Sequence, residues 1–401
     1  MGTIKITENI CSVGVQNPTL RVFDIIMQTE FGTSYNAYFV KGSQKTALID
    51  AVHLDFFDEY LENISGLTDV SKIDYLIVNH TEPDHSGSIK KLMELNPDIT
   101  VIASTAGQKF LSAITNMQFN AMVVRGGETI DLGGLSLEFI SAPLLHWPDS
   151  IFTWCPEEKV LFSCDFLGAH YSEPRMFDYK LTYPEEYAKA FKEYFDVIFS
   201  PFKPNVRAGL DKIRDLDISL ICTSHGPVLT KGNGLEKARE LYRTWSAIPV
   251  KDGDKSVVIL YVSAYGCTKK VAEVLEEELR AKYGFNTELV HVSDTNLACI
   301  KSKIDNADGI LLGTPTINRD ALKPMWEVTT VIDAIANKGK PAGVFGSFGW
   351  SGEGVPMLVE RLKGLNLDVV GDGLRVNFVP DEDEILQVRE YAKAFAEKSK
   401  A

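Results

Sequence analysis

The segment Val78–Ser88, with the sequence VNHTEPDHSGS, concentrates several metal-ligand side chains within a few consecutive positions. An apolar run, DYLIV, leads into it and predicts a buried strand that ends at this point. His80, Glu82, Asp84 and His85 would then project from a short loop, where side-chain direction varies from residue to residue. Imidazole and carboxylate groups in such a loop predict a metal site.

Three further candidates each follow an apolar run that is typical of a strand. His146 follows FISAPLL, Asp165 follows KVLFSC, and His225 follows LDISLICTS. A single histidine in such a place is more often structural than a ligand, but the three residues and the loop together predict one metal centre. Non-haem iron, manganese and zinc all accept imidazole and carboxylate ligands, so the ligand types alone do not separate these metals.

A second group of candidate residues lies in YVSAYGCTKK, the first strand-to-helix turn of the C-terminal half. This turn supplies hydroxyl groups and the free N–H groups of a helix start, which together suit a phosphate, although a plain capped turn has the same appearance. Two loops, GTPTINRD and GSFGWSGEG, also follow predicted strands, so we expect all three loops at one edge of a sheet. Their glycines would let the backbone approach a flat ring, on which Trp350 would stack.

These loops are positioned by two halves with different organisation. The first half alternates strand patterns such as SYNAYFV and KTALIDA with a few helical patterns, which predicts two sheets flanked by helices. From about Lys255 strands and helices alternate regularly, which predicts a parallel, doubly wound α/β sheet. The polar segment SAIPVKDGDKS separates the halves. We therefore predict domains at 1–250 and 251–401, with the boundary near Val250.

Composition limits the class of protein. Of the 401 residues, 45% are hydrophobic and 24% are charged, as in folded globular proteins. A net charge of −14 without a basic block argues against a nucleic-acid partner. The sequence shows no secretory leader and no apolar run of about 20 residues, so we expect no membrane association and a cytoplasmic location. The six cysteines include no C-x-x-C pair, which argues against a disulfide framework or a cysteine metal site.

The pattern H-x-[EH]-x-D-H, followed by isolated His, Asp and His residues, resembles that of the metallo-β-lactamase fold. Hydrolases of that superfamily carry histidine at the third position, where this chain has Glu82. This glutamate, together with LLHWPDS and GTSYNAY, is similar to the flavodiiron proteins, and the added carboxylate favours redox-active iron over zinc. The resemblance implies an N-terminal αββα sandwich with two irons. The implied ligands are His80, Glu82 and His146 for one iron, Asp84, His85 and His225 for the other, and Asp165 as the bridge.

The second half resembles flavodoxin-like domains. Its first turn fits the phosphate loop [ST]-x-[TY]-G-x-T, and the sequence has no G-x-G-x-x-G dinucleotide motif. The resemblance therefore implies FMN. The implied FMN contacts are Ser263, Tyr265, Gly266, Cys267, Thr268, Pro315, Thr316, Asn318, Ser347, Phe348, Gly349, Trp350 and Gly352.

Together the two halves imply a flavodiiron oxidoreductase that reduces O2 to water, NO to nitrous oxide, or both, with FMN feeding electrons to the non-haem diiron site. Family members form head-to-tail dimers, so the resemblance implies a homodimer or a dimer of dimers. It also implies an external electron donor, which is usually rubredoxin. The preference between the two gases would depend on groups near the metals, such as Tyr35, His170 and Tyr171.

Two other classes of protein stay open from the sequence. A zinc-dependent hydrolase of the metallo-β-lactamase superfamily, fused to a flavodoxin domain, would hold zinc and cleave a thioester or lactone. A pure electron carrier would bind flavin and no metal. Glu82 argues against the hydrolase, and the complete set of ligand candidates argues against the carrier. Metal analysis separates all three.

Overall fold

The computed structural model describes residues 2–25, 27–247 and 253–400. The chain divides into two compact units, Met1–Ile248 and Pro249–Ala401. The boundary predicted near Val250 lies outside the described residues.

The first unit contains two large sheets. In the first sheet seven strands lie side by side in chain order. Neighbours among the first four are antiparallel, and the fourth, Thr46–Ile49, begins a run of parallel strands that continues to the end of the sheet. Its strands are Ile4–Lys5, Ile10–Ser12, Tyr38–Lys41, Thr46–Ile49, Tyr75–Ile77, Thr100–Ser104 and Asn120–Val124. The second sheet is antiparallel except for one central parallel pair. Its strands are Thr129–Asp131, Ser136–Ser141, Ile151–Cys155, Val160–Cys164, Leu220–Thr223 and Leu229–Thr230.

The two sheets pack face to face, with helices on their outer faces. Ile77 and Ile102 of the first sheet share a buried cluster with Phe139 and Phe162 of the second. Leu76, which alternates with Ile77, joins a separate buried cluster that includes helical residues. The α-helices are Phe57–Ser65, Pro83–Ser86, Ile89–Leu95, Thr105–Thr115, Pro184–Tyr194, Lys203–Lys212 and Gly234–Trp245. The predicted αββα sandwich is confirmed, and the helices Lys203–Lys212 and Gly234–Trp245 were not predicted.

Smaller elements complete this unit. Two short hairpins stand apart from the large sheets, one joining Val15–Asn17 to Thr33–Tyr35 and one joining Val22–Phe23 to Met27–Gln28. A π-helical turn, Phe195–Phe199, directly follows the helix that ends at Tyr194. Such turns alter the direction of the side chains around them.

Asn79 connects the two sheets. Its backbone N–H and its side-chain amide donate hydrogen bonds to the Asp50 carboxylate, at 2.7 and 3.1 Å, at the end of a strand of the first sheet. From the second sheet, Ile151 N–H donates to the Asn79 carbonyl at 3.0 Å and Thr153 Oγ1 donates to Asn79 Oδ1 at 2.8 Å. Because Asn79 directly precedes His80, both sheets fix the start of the candidate ligand loop.

The second unit is a parallel sheet with helices on both faces. The strands, in spatial order, are Asn286–His291, Ser256–Tyr261, Gly309–Gly313 and Pro341–Phe348, with Asp368–Val369 and Leu374–Asn377 both paired to the last of these. Alternate residues of the strand Ser256–Tyr261 enter two different buried clusters, one on each face. The helices are Cys267–Tyr283, Leu297–Asn306, Lys323–Thr330, Gly354–Gly364 and Glu382–Lys400. This strand order is that of the flavodoxin-like doubly wound fold, as predicted.

Candidate metal centre and flavin site

The candidate metal ligands lie just beyond the ends of strands in the first unit. His80 and Glu82 follow the strand Tyr75–Ile77, and the short helix Pro83–Ser86 carries Asp84 and His85. His146 lies in the loop before the strand Ile151–Cys155, while Asp165 and His225 follow neighbouring parallel strands of the second sheet. The structure thus brings all seven predicted side chains into one region.

Four of these side chains form a first group. His80, Glu82, His146 and Asp165 each offer one ligand atom, and these atoms lie within 4.8 Å of one another. Glu82 Oε2 is 3.1 Å from Nε2 of both His80 and His146. Asp165 Oδ2 is 3.3 Å from His146 Nε2 and 3.6 Å from His80 Nε2.

The remaining three form a second group that shares Asp165. The ligand atoms of Asp84, His85 and His225 also lie within 4.8 Å of one another. Asp84 Oδ2 is 3.1 Å from His225 Nε2 and 3.4 Å from His85 Nε2. The other oxygen of Asp165, Oδ1, is 3.0 Å from His85 Nε2 and 3.5 Å from His225 Nε2. Asp165 therefore presents one carboxylate oxygen to each group, as a bridging ligand would.

The donor atoms fit a pair of metal ions. No hydrogen bond within the described chain reaches Asp84 Oδ1, Asp84 Oδ2 or Asp165 Oδ2, although all three atoms are buried. Asp84 Oδ2 and Asp165 Oδ2 contact imidazole Nε2 atoms without a well-formed hydrogen bond, and a cation between these donors would bind the oxygens and the nitrogens together. Cys164 lies beside His85 and Asp165, but burial raises the pKa of its thiol well above the ordinary value, and a neutral thiol is a poor ligand.

The charges in the metal-free protein are strongly perturbed. Burial opposes charging of His80, but its hydrogen bonds to Asp149 and Glu82 raise its pKa well above the ordinary value. Burial likewise opposes charging of His85, yet the charges of Asp84 and Asp165 raise its pKa to about 9. Burial would raise the pKa of Asp165, but the positive charge of His85 holds it well below the ordinary value. Protons on these imidazoles therefore occupy the places that metal ions would take.

Two groups that orient the histidines were missed from the sequence. Asp149, fully buried three residues after His146, has its carboxylate oxygens 3.1 and 3.2 Å from His80 Nδ1. His225 Nδ1 is 2.6 Å from the carbonyl oxygen of Ser34. Because carboxylate and carbonyl oxygens only accept, both Nδ1 atoms donate, and each Nε2 is left to face the metal site. The acidic residue in LLHWPDS was a usable signal for Asp149, whereas a backbone carbonyl leaves none.

The three residues predicted to lie near the metals differ in position. The Tyr35 and His170 rings lie 6.0 and 4.5 Å from the His225 ring. Tyr171 instead packs against Phe31 and Tyr187, at 5.8 and 5.6 Å. Among the described residues no ring contact joins Tyr171 to a ligand histidine, and its part in the gas preference stays a prediction.

Asp24 is an additional carboxyl group at this site. It follows the strand Val22–Phe23 with a φ of 47°, and its carboxyl group is close enough to Glu82 for the two groups to affect each other's ionisation. Burial, reinforced by the Glu82 contact, raises the pKa of Asp24 to about 6. No pattern in the sequence predicts that the turn at Asp24 reaches the metal ligands.

The loops of the second unit surround a cleft at the carboxyl edge of its sheet. Nine of the predicted FMN contacts line this cleft: Ser263, Tyr265, Cys267, Thr268, Pro315, Thr316, Ser347, Phe348 and Gly349. Ala264, Ile317 and Phe378 also line it and were not predicted. Gly266, Asn318, Trp350 and Gly352 are not among the lining residues, although all four lie in the same loops.

The first of these loops has the features of a phosphate site. Ser263 Oγ accepts hydrogen bonds from the backbone N–H groups of Gly266 and Lys269, at 3.1 and 3.3 Å. Gly266 has a φ of 86°, which a glycine adopts readily, and the helix starts at the next residue. Thr268 Oγ1 and Ser347 Oγ, 2.8 Å apart, join this loop to the third. Hydroxyls at a helix N-terminus suit the phosphate of FMN.

Two aromatic side chains beside the cleft are exposed. Tyr265 is 93% exposed and Trp350 is 87% exposed, so both are available to contact a flat ring such as a flavin. A Cβ atom at Gly349 would lie 2.6 Å from Cζ of Phe378, so a protein neighbour already favours glycine at this position. The predicted approach of its backbone to a flat ring stays a prediction.

The helices and the cysteines bear on membrane spans and on disulfide bonds, respectively. Within the described ranges no helix is both long enough and apolar enough to cross a membrane. All six cysteines are unpaired.

The chain is similar to known proteins over both units. Residues 33–226 match the ODP family beta lactamase, and residues 259–391 match Flavodoxin. A flavo-diiron protein, FprA2, of Clostridium acetobutylicum is 51% identical over 99% of each chain. A nitric oxide reductase of Moorella thermoacetica is 33% identical over 98% of each chain. The solved structure of rubredoxin oxygen:oxidoreductase from Desulfovibrio gigas is 30% identical, covers 99% of this chain and 98% of its own, and has a TM-score of 0.66.

These relatives do not favour the zinc hydrolase. A diiron protein with a flavin also fits the two groups of ligand atoms in the first unit and the cleft in the second. The chain therefore belongs to the flavodiiron protein family and is an oxidoreductase that uses FMN and a non-haem diiron site.

Proposed function

We propose that this protein detoxifies O2 by reducing it to water, NO by reducing it to nitrous oxide, or both, and that the seven predicted side chains hold the two irons. The observation that carries the proposal is Asp165, which is buried and presents one oxygen to each group of ligand atoms. When bound, the irons supply reversible one-electron chemistry at a site where a diatomic gas can bind, and FMN supplies the electrons.

The ligand set supports iron rather than zinc. The first group contains two histidines and two carboxylates, Glu82 and Asp165. Glu82 Oε2 lies equally close to both imidazoles, as a ligand of the same metal ion would. Anionic oxygen ligands stabilise the more highly charged ferric state, whereas an all-imidazole arm suits redox-inert zinc. The residues therefore match a centre that changes oxidation state.

The surroundings of the site support a small gas as the substrate. Three aromatic rings pack against its histidines: Phe23 is 5.9 Å from His225, Tyr194 is 6.0 Å from His225 and Phe199 is 6.2 Å from His146. Tyr194 and Phe199 are buried at the two sides of the π-helical turn. Rings in these positions exclude water from the histidines, which suits a small, weakly polar substrate such as a diatomic gas.

We propose that electrons arrive from an external rubredoxin and that the chain acts as a head-to-tail homodimer or a dimer of dimers. The electron donor is supported by the relative from Desulfovibrio gigas, because its name gives rubredoxin and oxygen as the two substrates of that oxidoreductase. The dimer is supported by the exposed Tyr265 and Trp350, which leave an apolar surface beside the flavin loops. In the proposed dimer, FMN of one protomer faces the metal centre of its partner. A fully active monomer in sedimentation experiments would contradict this arrangement.

We place the protein in the cytoplasm. Its six unpaired cysteines support a reducing compartment, since secreted proteins commonly pair theirs.

The experiment that tests the activity is reoxidation of the anaerobically reduced protein by O2 and, separately, by NO, followed through the flavin absorbance. The matched control is Asp165→Ala, which removes the shared ligand of the first unit and leaves the second unit unchanged. We expect the iron-loaded protein to react with at least one gas much faster than this variant does. The faster gas identifies the main substrate, and equal rates for the two proteins with both gases would refute the proposal.

A further inference from the structure

Asp149 makes a closed set of contacts beside the candidate metal centre. Its side chain is fully buried, and its carboxylate accepts a hydrogen bond from the Nδ1–H group of His80. Thr81 donates twice to Asp149 Oδ2, from its backbone N–H and from Oγ1, both at 2.7 Å. Ser104 Oγ donates to the Asp149 carbonyl oxygen at 2.8 Å. These bonds fix the carboxylate, and through it the ring of His80.

No other metal-ligand histidine has this support within the described residues. The Nδ1–H of His225 donates to a neutral acceptor, the carbonyl of Ser34, and Nδ1 of His85 has no hydrogen-bond partner. Asp50, a second buried carboxylate nearby, accepts from Asn79 and hydrogen-bonds none of these histidines. Asp50 acts on His85 through its charge, without a hydrogen bond. Among the described residues, the two groups of ligands therefore differ in that only His80, in the first group, donates its Nδ1–H to a carboxylate.

This difference has a chemical consequence. A carboxylate that accepts the Nδ1 proton of an imidazole increases the electron density at Nε2 and adds a negative charge close to the metal. Both effects stabilise ferric iron more than ferrous iron, because the ferric ion carries the higher charge. A carbonyl oxygen acts in the same direction but more weakly.

We propose that Asp149 is a positioning residue that makes the two irons unequal, by stabilising the ferric state of the iron held with Glu82 over that of the iron held with Asp84. The inference rests on the proposed ligand assignment. With both irons bound, the iron held with Asp84 would be the more easily reduced of the two. The range of applied potential over which only one iron is reduced would then be wider than in a symmetric centre.

The test is a redox titration followed by the low-temperature electron paramagnetic resonance signal of the half-reduced centre, on the full-length protein with both cofactors. Asp149→Asn replaces the charged acceptor of His80 and Thr81 by a neutral amide, whose NH2 group would face one of their donors. Loss of such support typically changes metal affinity about 10-fold or more. A 10-fold loss of ferric preference at one iron corresponds to about 59 mV, so we expect the potential range of the signal to become narrower by about that amount.

In a second variant the potential range of the signal should change in the opposite direction. Thr81→Val removes the hydroxyl that donates to Asp149 Oδ2 and leaves the carboxylate a stronger acceptor, so the range should widen. It also serves if Asp149→Asn does not fold. The matched control is Thr153→Val, which removes a buried hydroxyl that donates to Asn79, next to His80, without touching Asp149. The range should not change in this control, although the backbone beside His80 loses a hydrogen bond.

The outcomes are distinct. Opposite changes in Asp149→Asn and Thr81→Val, with no change in the control, support the inference. An unchanged range in either fully iron-loaded variant, or a change of the same sign in both, overturns it, because general loosening of the site would act in one direction. If the unaltered protein binds no iron and gives no such signal, the proposed function itself fails.

Discussion

Raising the pH from about 6.5 to about 9 should destabilise the metal-free form of the first unit. The pKa of His85 is about 9 in the folded protein, against an ordinary value of 6.5, because the charges of Asp84 and Asp165 outweigh its burial. Below pH 6.5 the folded and unfolded chains both carry the proton, and the stabilisation is complete. As the pH rises, the unfolded chain releases its proton first, and the stabilisation is lost by the time the pH has passed the folded pKa.

The size of the effect follows from the same values. A difference of about 2.5 pH units at 1.36 kcal/mol per unit gives on the order of 3 kcal/mol for His85 alone. Asp50, whose pKa burial raises to about 6, contributes below this pH window rather than within it. A loss of this size is a substantial part of the stability of an ordinary domain.

Urea unfolding of the metal-free protein, measured at a series of pH values, checks this prediction. The transition that shifts when iron is added reports on the first unit. The control is His85→Gln, which has no ionisable group at this position and should show a flatter dependence on pH. Iron-loaded protein should also lack the His85 contribution, because a metal ion replaces the proton. Parallel curves for the metal-free protein and the glutamine variant between pH 6.5 and 9 would refute the reasoning.

Three other predictions concern single residues. Glu82→His should lower the ratio of iron to zinc in the purified protein, because it replaces an anionic oxygen by a neutral imidazole; metal analysis measures the ratio. Trp350→Ala should weaken FMN binding by about 5-fold, corresponding to the loss of about 1 kcal/mol of ring stacking, as measured by flavin fluorescence. Gly346→Ala should destabilise the second unit by about 1–3 kcal/mol in urea unfolding, since its Cβ would lie 2.1 Å from the Thr314 carbonyl oxygen. Gly364→Ala, with no atom within 4 Å of the added Cβ, should change the stability little.

Much of the candidate site could be predicted because its residues lie at the ends of strands. Apolar runs mark the strands, and the residue after each run falls at an edge where neighbouring strand ends meet. His80, Asp165 and His225 were found in this way, and the structure brings them together. The phosphate loop was found for the same reason, since it follows the first strand of the second unit.

The remainder depends on contacts between distant parts of the chain. Asp24 reaches Glu82 from a turn that has no strand or helix pattern of its own, and Phe378 reaches the flavin cleft from beyond the last strand. The helix Lys203–Lys212 contains a proline and a glycine, Pro204 and Gly209, and was missed because its few apolar residues give a weak helical period. Tertiary packing determines each of these features, whereas patterns in a single sequence predict only local structure.

The position of Asn79 has a consequence for how the protein acquires its metal. Hydrogen bonds to both sheets fix the backbone immediately before His80, so the ordering entropy of this loop is lost when the first unit folds. Metal capture is then addition to a formed site, unlike that of small zinc domains, in which binding and folding are one event. We therefore expect the first unit to fold before it takes up metal, and its ions to be exchangeable without unfolding.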